Sequence, residues 1–120
     1  MKHLPAREVH RDARGQLVPL ELNDVAFEPR RIFVVQGPDH RVTRGGHSAG
    51  SQQVLTLISG RADVRVRTAT GEWLNANLVA GDSVELEADD WIDYDLVDPH
   101  SVLLVVASEP YARAEGGGVS

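Results

Sequence analysis

Apolar and polar residues alternate along most of this chain in short runs, the period-two pattern of strands with one buried face. The clearest run is Val64-Arg65-Val66-Arg67, which predicts one buried face and one wet face. Residues 102–106 are apolar throughout and predict a strand buried on both faces. The pattern predicts strands at 17–20, 31–36, 42–44, 51–59, 61–68, 72–78, 83–86, 91–96 and 101–108.

Small clusters of Gly, Pro, Asp and Ser separate these predicted strands, and helix signals are almost absent. Many short strands at close spacing are typical of an antiparallel sandwich or barrel of the jelly-roll class. We therefore predict an all-β fold, a small antiparallel barrel in a single domain over residues 1–112. The Gly-rich residues 113–120 predict a flexible C-terminal tail.

Composition narrows the class of protein. The 120 residues suffice for one domain, and the net charge of -6 argues against a general nucleic-acid binder. The chain has no cysteine, which excludes disulfides, thiolate metal sites and Cys nucleophiles. No apolar run approaches the ~20 residues of a membrane span, and residues 1–5 lack the apolar core of a signal peptide. We expect a cytoplasmic protein with no membrane or nucleic-acid partner.

The positive charge of this acidic chain is concentrated in part of its sequence, at Arg30, Arg31, Arg41 and Arg44. Arg44 is the best candidate for binding an anion, because a guanidinium fork can hold a pair of phosphate oxygens. The alternative is a structural ion pair with one of the 18 acidic residues.

His47 is the best candidate for acid/base chemistry, since an imidazole titrates near neutral pH. The alternative is a histidine that only hydrogen-bonds a ligand or a neighbouring strand. A metal site would need about three converging nitrogen or oxygen ligands. Near His47 the chain offers only Gln52 or Gln53, and residues 91–95 hold no second histidine. We predict neither a metal nor another cofactor.

Several motifs in order along the chain resemble those of the sugar 3,4-ketoisomerase cupins. They are Arg-Ile-Phe at 31–33, Thr-Arg-Gly-Gly-His-Ser at 43–48, Gln-Val-Leu at 53–55, Gly60, Trp91, and the run from Val102 to Tyr111. The most specific are Arg-Gly-x-His-Ser and the ending Leu-Leu-Val-x-Ala-Ser-x-x-Tyr. The resemblance extends roughly from Leu17 to Tyr111.

The resemblance implies a homodimer of jelly-roll subunits, a dTDP-sugar bound within the barrel without a metal, and a histidine that moves a proton between C3 and C4 of the sugar. The family places a second histidine where this chain has Ala49, and a tyrosine where it has Phe33. Neither alanine nor phenylalanine can move a proton, so the resemblance leaves turnover open.

The candidate site therefore has His47 as its catalytic residue, with ligand contacts from Arg44, Gln53, Arg31, Phe33, Trp91 and Asp93. Gln53 would hydrogen-bond a sugar hydroxyl. Trp91 and Tyr94 could stack on a base or sugar, and Trp91 could equally pack in the core. Asp93 and Asp95 share one face: inside the barrel they would form an acid/base pair, and outside they would be edge charges. The outer position is favoured for Asp95, and Asp93 stays open.

Three functions are consistent with these residues. The first is a dTDP-4-keto-6-deoxyhexose 3,4-ketoisomerase-like cupin that works by metal-free proton transfer on a nucleotide-linked keto-sugar. The second is an altered cupin that binds a sugar nucleotide or another small anion without turnover. The third is a natural-product biosynthesis cupin with a non-sugar substrate. In each case we expect a homodimer, with residues 17–20 adding to the edge of a partner's sheet.

Overall fold

The structure, a computed structural model, describes residues 1–4 and 9–111. These residues form strands and a single 3-10 helix at Leu22–Asp24. The strands are β1 (Lys2–Leu4), β2 (His10–Asp12), β3 (Gly15–Leu17), β4 (Arg31–Gln36), β5 (Val42–Ser48), β6 (Gln53–Ser59), β7 (Arg61–Arg67), β8 (Trp73–Val79), β9 (Ser83–Leu86), β10 (Trp91–Leu96) and β11 (Val102–Ala107).

Two antiparallel sheets face each other across the core. The five-stranded sheet has the order β1-β9-β6-β11-β4, and the four-stranded sheet has the order β5-β10-β7-β8. Strands β2 and β3 form a separate hairpin. This architecture confirms the predicted all-β antiparallel jelly roll.

Cross-strand pairing stacks the inward side chains in three layers. Because paired residues share a face, the register assigns each layer directly. The first layer holds Arg31, Ala107, Gln53 and Leu86 on one sheet and His47, Ile92, Val66 and Leu74 on the other. The second holds Phe33, Val105, Leu55 and Val84 opposite Arg44, Tyr94, Val64 and Ala76. The third is wholly apolar, with Val35, Leu103, Leu57, Val42, Leu96, Ala62 and Leu78.

The hydrophobic pattern located the central strands well. In β7, Val64 and Val66 are buried while Arg65 and Arg67 lie on the outer face, as the alternation predicts. Strand β11 lies between β6 and β4, with Val106 fully buried on its outer face. Near the other end of β11, Leu104 is only partly buried, so the prediction of burial on both faces holds only in part.

The predicted strand at 17–20 is wrong. The observed strand β3 ends at Leu17 and pairs with β2 through a turn that places Gly15 at a φ of 119°. All residues of this hairpin's strands are exposed, so it lacks the buried alternating face on which strand prediction depends.

Two further expectations concern the chain's extent and location. The proposed tail at residues 113–120 lies outside the residues that the structure describes. Within the described residues, no helix has the length and hydropathy that crossing a bilayer requires.

Candidate active site on the open side of the barrel

A glycine bulge in β5 places Arg44 and His47 on the same inner face. Arg44 pairs with Tyr94 and His47 pairs with Ile92, although Arg44 and His47 are three residues apart while their partners are only two apart. The extra residue falls at Gly45-Gly46, where both φ angles are 86°. This region of backbone space strongly favours glycine. In a regular strand, residues three apart point to opposite faces of the sheet. The extra residue in the bulge places the side chains of Arg44 and His47 on the same face.

Strands β4, β5, β6 and β10 place polar side chains on the inner face, namely Arg31, Arg44, His47, Gln53 and Tyr94. All of them belong to the first and second layers. The interior of the barrel is therefore polar towards one end and apolar at the other. This polar group contains most of the site residues that the sequence predicted.

The polar group lies beside the open side of the barrel, the gap between β4 and β5. Both are edge strands, and they belong to different sheets. Arg31 and Phe33 project inward from β4, opposite Arg44 and His47 on β5. A ligand entering between these strands would meet a guanidinium group from each side.

The geometry of His47 fixes which ring nitrogen carries the proton. Its Nδ1 lies 2.9 Å from the carbonyl oxygen of Ser48. A carbonyl can only accept, so Nδ1 donates, and Nε2 of the neutral ring keeps the lone pair. The ring is half-buried. His47 is thus oriented to act as a base through Nε2.

Gln53 stabilises the turn before β6. It is buried on the inner face, and its Nε2 donates to the carbonyl oxygen of Ala49 at 3.1 Å. Ala49 itself is buried in the hydrophobic core. The predicted role of Gln53 as a sugar ligand stays a prediction, and the observed bond ties the end of β5 to β6.

Tyr94 brings a second proton-bearing group to this region. It lies on the inner face, is 1% exposed, and is paired across the strands with Arg44 on one side and Val64 on the other. The sequence suggested a stacking role for Tyr94 and no part in proton transfer. The signal was the alternation of Ile92, Tyr94 and Leu96 with two aspartates, which marks the apolar face as the inner one.

Trp91 and Asp93 occupy the opposite face of β10, so the structure does not bring them together with Arg44 and His47. Asp93 Oδ1 accepts a hydrogen bond from Arg65 Nε at 2.6 Å on the outer face. Trp91 packs edge-to-face against Trp73, with ring centres 5.6 Å apart. Placing these two residues among ligand contacts inside the barrel is therefore corrected: their face is the outer one, because their neighbours in β10 fill the core.

Asp95 is the centre of an ion cluster on that outer face. Its Oδ1 accepts from Arg65 Nη2 at 2.9 Å and from Thr43 Oγ1 at 2.6 Å, and its Oδ2 accepts from Arg41. These partners, Arg65 first, hold the pKa of Asp95 well below its usual range. The cluster ties β5 to β10 and β7 directly behind Arg44. The outer position expected for Asp95 is the observed one.

A depression of about 690 Å³ lies beside the open side, lined by Gln36, Gly37, Pro38, Val42, Thr43, Arg44 and His100. It shares Arg44 with the polar group but contains neither His47 nor Arg31. No three His, Asp or Glu side chains within residues 1–4 and 9–111 come together as a metal-binding set.

Comparison with known proteins places this barrel in a family. A family model described as FdtA, WxcM-like, C-terminal, matches residues 1–116. No curated protein sequence matches the chain.

Several solved structures share the fold. The TDP-quinovose 3,4-ketoisomerase WlaRB from Campylobacter jejuni is 29% identical with a TM-score of 0.76, over 94% of this chain and 88% of that one. QdtA, a sugar 3,4-ketoisomerase from Thermoanaerobacterium thermosaccharolyticum solved with TDP, is 27% identical with a TM-score of 0.74, over 89% and 80%. A 3,4-ketoisomerase from Helicobacter canadensis is 25% identical with a TM-score of 0.77, over 95% and 86%.

The family match covers nearly the whole chain, and the similar structures carry the same barrel over most of their own length. The motif that begins at Arg44 is thus set in the fold that the resemblance implied. The chain belongs to the FdtA family of WxcM-like C-terminal domains, the family of the sugar 3,4-ketoisomerase cupins.

Proposed function

We propose that this protein is a 3,4-ketoisomerase of a dTDP-linked 4-keto-6-deoxyhexose and that it works by proton transfer without a metal. The observation that carries the proposal is the bulge at Gly45-Gly46, which sets the guanidinium of Arg44 and the imidazole of His47 on one inner face. A guanidinium group can bind an anionic part of the substrate, and an imidazole on the same face can remove a proton from an acidic C–H bond.

The reaction needs two proton exchanges at carbon and two at oxygen. His47 Nε2 removes the proton from C3, which is acidic because it adjoins the C4 carbonyl, and O4 gains a proton to give an enediol. His47 then returns a proton to C4 while O3 loses its own, and the carbonyl stands at C3. No bond between heavy atoms breaks, and the two protons gained equal the two lost.

We assign the oxygen protons to the phenol of Tyr94. The family's second histidine is replaced by Ala49, and its tyrosine by Phe33, so neither position can supply them. Tyr94 lies two residues from Ile92, the cross-strand partner of His47, on the same face. Side chains two apart on a strand are about 7 Å apart, a span that the C3–C4 unit and its oxygens could bridge.

The nucleotide diphosphate is the proposed ligand of Arg44. QdtA, a relative at 27% identity, was solved with TDP, and a mutant of QdtA was solved with TDP-4-keto-6-deoxyglucose. In the present chain an arginine on the inner face of β5 begins the motif that the resemblance rests on.

Incubation with dTDP-4-keto-6-deoxyglucose in heavy water, followed by NMR, tests the proposal. We expect deuterium at C3 of recovered substrate and at C4 of a 3-keto product. His47→Asn should abolish both signals with dTDP affinity retained, since a general base contributes about 10²–10⁴-fold. Tyr94→Phe should slow product formation more than exchange at C3. A wild-type protein that binds the substrate but exchanges no proton would overturn the proposal.

That last outcome would favour a second candidate, a cupin that binds the sugar nucleotide without turnover. The observation behind it is the burial of Ala49 in the core, at the position where the family has its second histidine. The homodimeric state, the cytoplasmic location and the independence from metals stay predictions.

A further inference from the structure

Two aromatic rings hold the guanidinium of Arg31 at the open side of the barrel. Its Cζ lies 4.4 Å from the centre of the Phe33 ring and 4.9 Å from the centre of the Tyr111 ring. Both distances fall within the ~6 Å range of cation–π attraction. Phe33 comes from the same strand, whereas Tyr111 comes from the chain after β11, at the far end of the described sequence.

The segment after β11 is fixed at its start, which brings Tyr111 back over β4. The backbone N–H of Ser108 donates to the carbonyl oxygen of Gln52 at 2.9 Å, and that of Arg30 donates to the carbonyl oxygen of Ala107 at 2.8 Å. Phe33 is partly buried and packs against the hydrophobic core. The two rings differ in burial, since Phe33 packs against the core whereas Tyr111 is 45% exposed.

The N–H donors of Arg31 differ in their partners from those of Arg41, Arg61 and Arg65. Arg41, Arg61 and Arg65 each donate to aspartate carboxylates on the outer surface. Within residues 1–4 and 9–111, no Asp or Glu forms an ion pair with Arg31. Aromatic rings stack on the flat face of a guanidinium group, but they accept no hydrogen bond from its five in-plane N–H donors. The register places Arg31 on the inner face of β4, an edge strand, and Arg44 on the inner face of β5, the edge strand of the other sheet.

We propose that Tyr111 is a positioning residue that holds the Arg31 guanidinium for the diphosphate of the nucleotide, so that Arg31 and Arg44 bind it from opposite sides of the gap. This inference rests on the proposed function for the identity of the ligand. It gives the C-terminal segment a role in recognising the phosphates and none in the proton transfers.

Calorimetric titration with dTDP, thymidine and inorganic pyrophosphate tests this role. Arg31→Ala should weaken dTDP and pyrophosphate about 10- to 100-fold, the loss of a charge-assisted hydrogen bond. Tyr111→Ala should weaken both about 2- to 5-fold, as expected for an exposed cation–π contact, and leave thymidine affinity unchanged. Tyr111→Phe, the matched control, keeps the ring and should bind all three ligands like wild type. Equal melting temperatures of the three variants and wild type exclude a folding defect.

The outcomes separate the two proposals. If wild type binds dTDP but Tyr111→Ala binds it equally well, the role of Tyr111 is overturned and the proposed function stands. If Tyr111→Phe is as weak as Tyr111→Ala, the hydroxyl acts rather than the ring, which also overturns it. If wild type binds pyrophosphate but not dTDP, the proposed ligand is wrong while the Tyr111 comparison still holds with pyrophosphate. If wild type binds neither dTDP nor pyrophosphate, both the proposed function and the role of Tyr111 are overturned.

Discussion

Gly45 lies directly against the backbone of Ile92: a Cβ at Gly45 would be 2.8 Å from the Ile92 carbonyl oxygen. Its φ is 86°, so a side chain there would be strained as well as crowded. We expect Gly45→Ala to cost about 2–5 kcal/mol, the sum of a left-handed backbone penalty and an overpacking penalty. Urea denaturation measures it, and binding of dTDP should fall because the bulge sets Arg44 and His47 in register.

Gly46 offers the matched control for that variant. It has the same φ of 86° but nothing within 4 Å of its Cβ position. Gly46→Ala should therefore carry only the backbone penalty of about 1–2 kcal/mol. Equal losses in the two variants would contradict the role assigned to the close approach of Gly45 and Ile92.

Asp95 should make stability depend on pH on the acid side. Its pKa is lowered in the fold, chiefly by Arg65, relative to about 3.9 in an unfolded chain. The stabilisation is therefore complete above the unfolded pKa and is lost as the pH falls towards the folded one. Asp95→Asn should lose about 1.5–3 kcal/mol at pH 7, and its gap from wild type should narrow in acid, below the unfolded pKa. Urea titrations at neutral and acid pH measure this.

Asp63→Asn is the comparison for Asp95. Asp63 also pairs with Arg41, at 3.2 Å, but it is part-exposed and shares no bond with Thr43 or Arg65. Its loss should cost less than about 1 kcal/mol, the usual range of a surface pair. A larger acid-side effect for Asp63 than for Asp95 would show that the cluster is centred elsewhere.

Restoring the family's second histidine at Ala49 should damage the fold. Ala49 is 1% exposed and belongs to the core, and its backbone N–H is bonded to the Asp90 carbonyl oxygen. Ala49→His should cost about 1–3 kcal/mol through overpacking, seen as a lower melting temperature, without gain in isomerase activity. Ala49→Gly removes volume instead and serves as the control; a stable, more active Ala49→His would show that this position opens into the site.

The outer face of β4 should carry the contact in the predicted homodimer. Ile32 and Val34 are each 59% exposed there, on an edge strand. Light scattering of the wild type should give twice the mass of one chain. Val34→Lys places a charge in the contact and should reduce the measured mass to that of a single chain. Val79→Lys, at a 53% exposed valine on the four-stranded sheet, should stay dimeric. A monomeric wild type would contradict the prediction.

Local pattern was sufficient where each strand alternates against a core, as in β7 and β10. It failed for β1 and β2, three-residue strands whose side chains are largely exposed. It also ended β5 at Arg44, because two glycines favour a turn, whereas pairing with β10 carries the strand through them as a bulge.

The sequence could indicate which residues are candidates for the site, but it could not indicate the direction in which each side chain faces. Arg44 and His47 were found from their motif, but whether Asp93 faces in or out depends on which side of β10 the second sheet covers. The apolar Ile92, Tyr94 and Leu96 held that information. The contact of Arg31 with Tyr111 joins distant segments, and nothing in either local sequence indicates it.

The wholly apolar third layer has a consequence for how such a chain can change. Val35, Leu57 and Leu103 stand at the end of the barrel remote from His47 and Gln53. Substitutions in this layer change the packing of the core and leave Arg31, Arg44, His47 and Gln53, which belong to the other two layers, as they are. Changes that raise the melting temperature can therefore be sought in the third layer without altering the polar side chains proposed to bind the ligand.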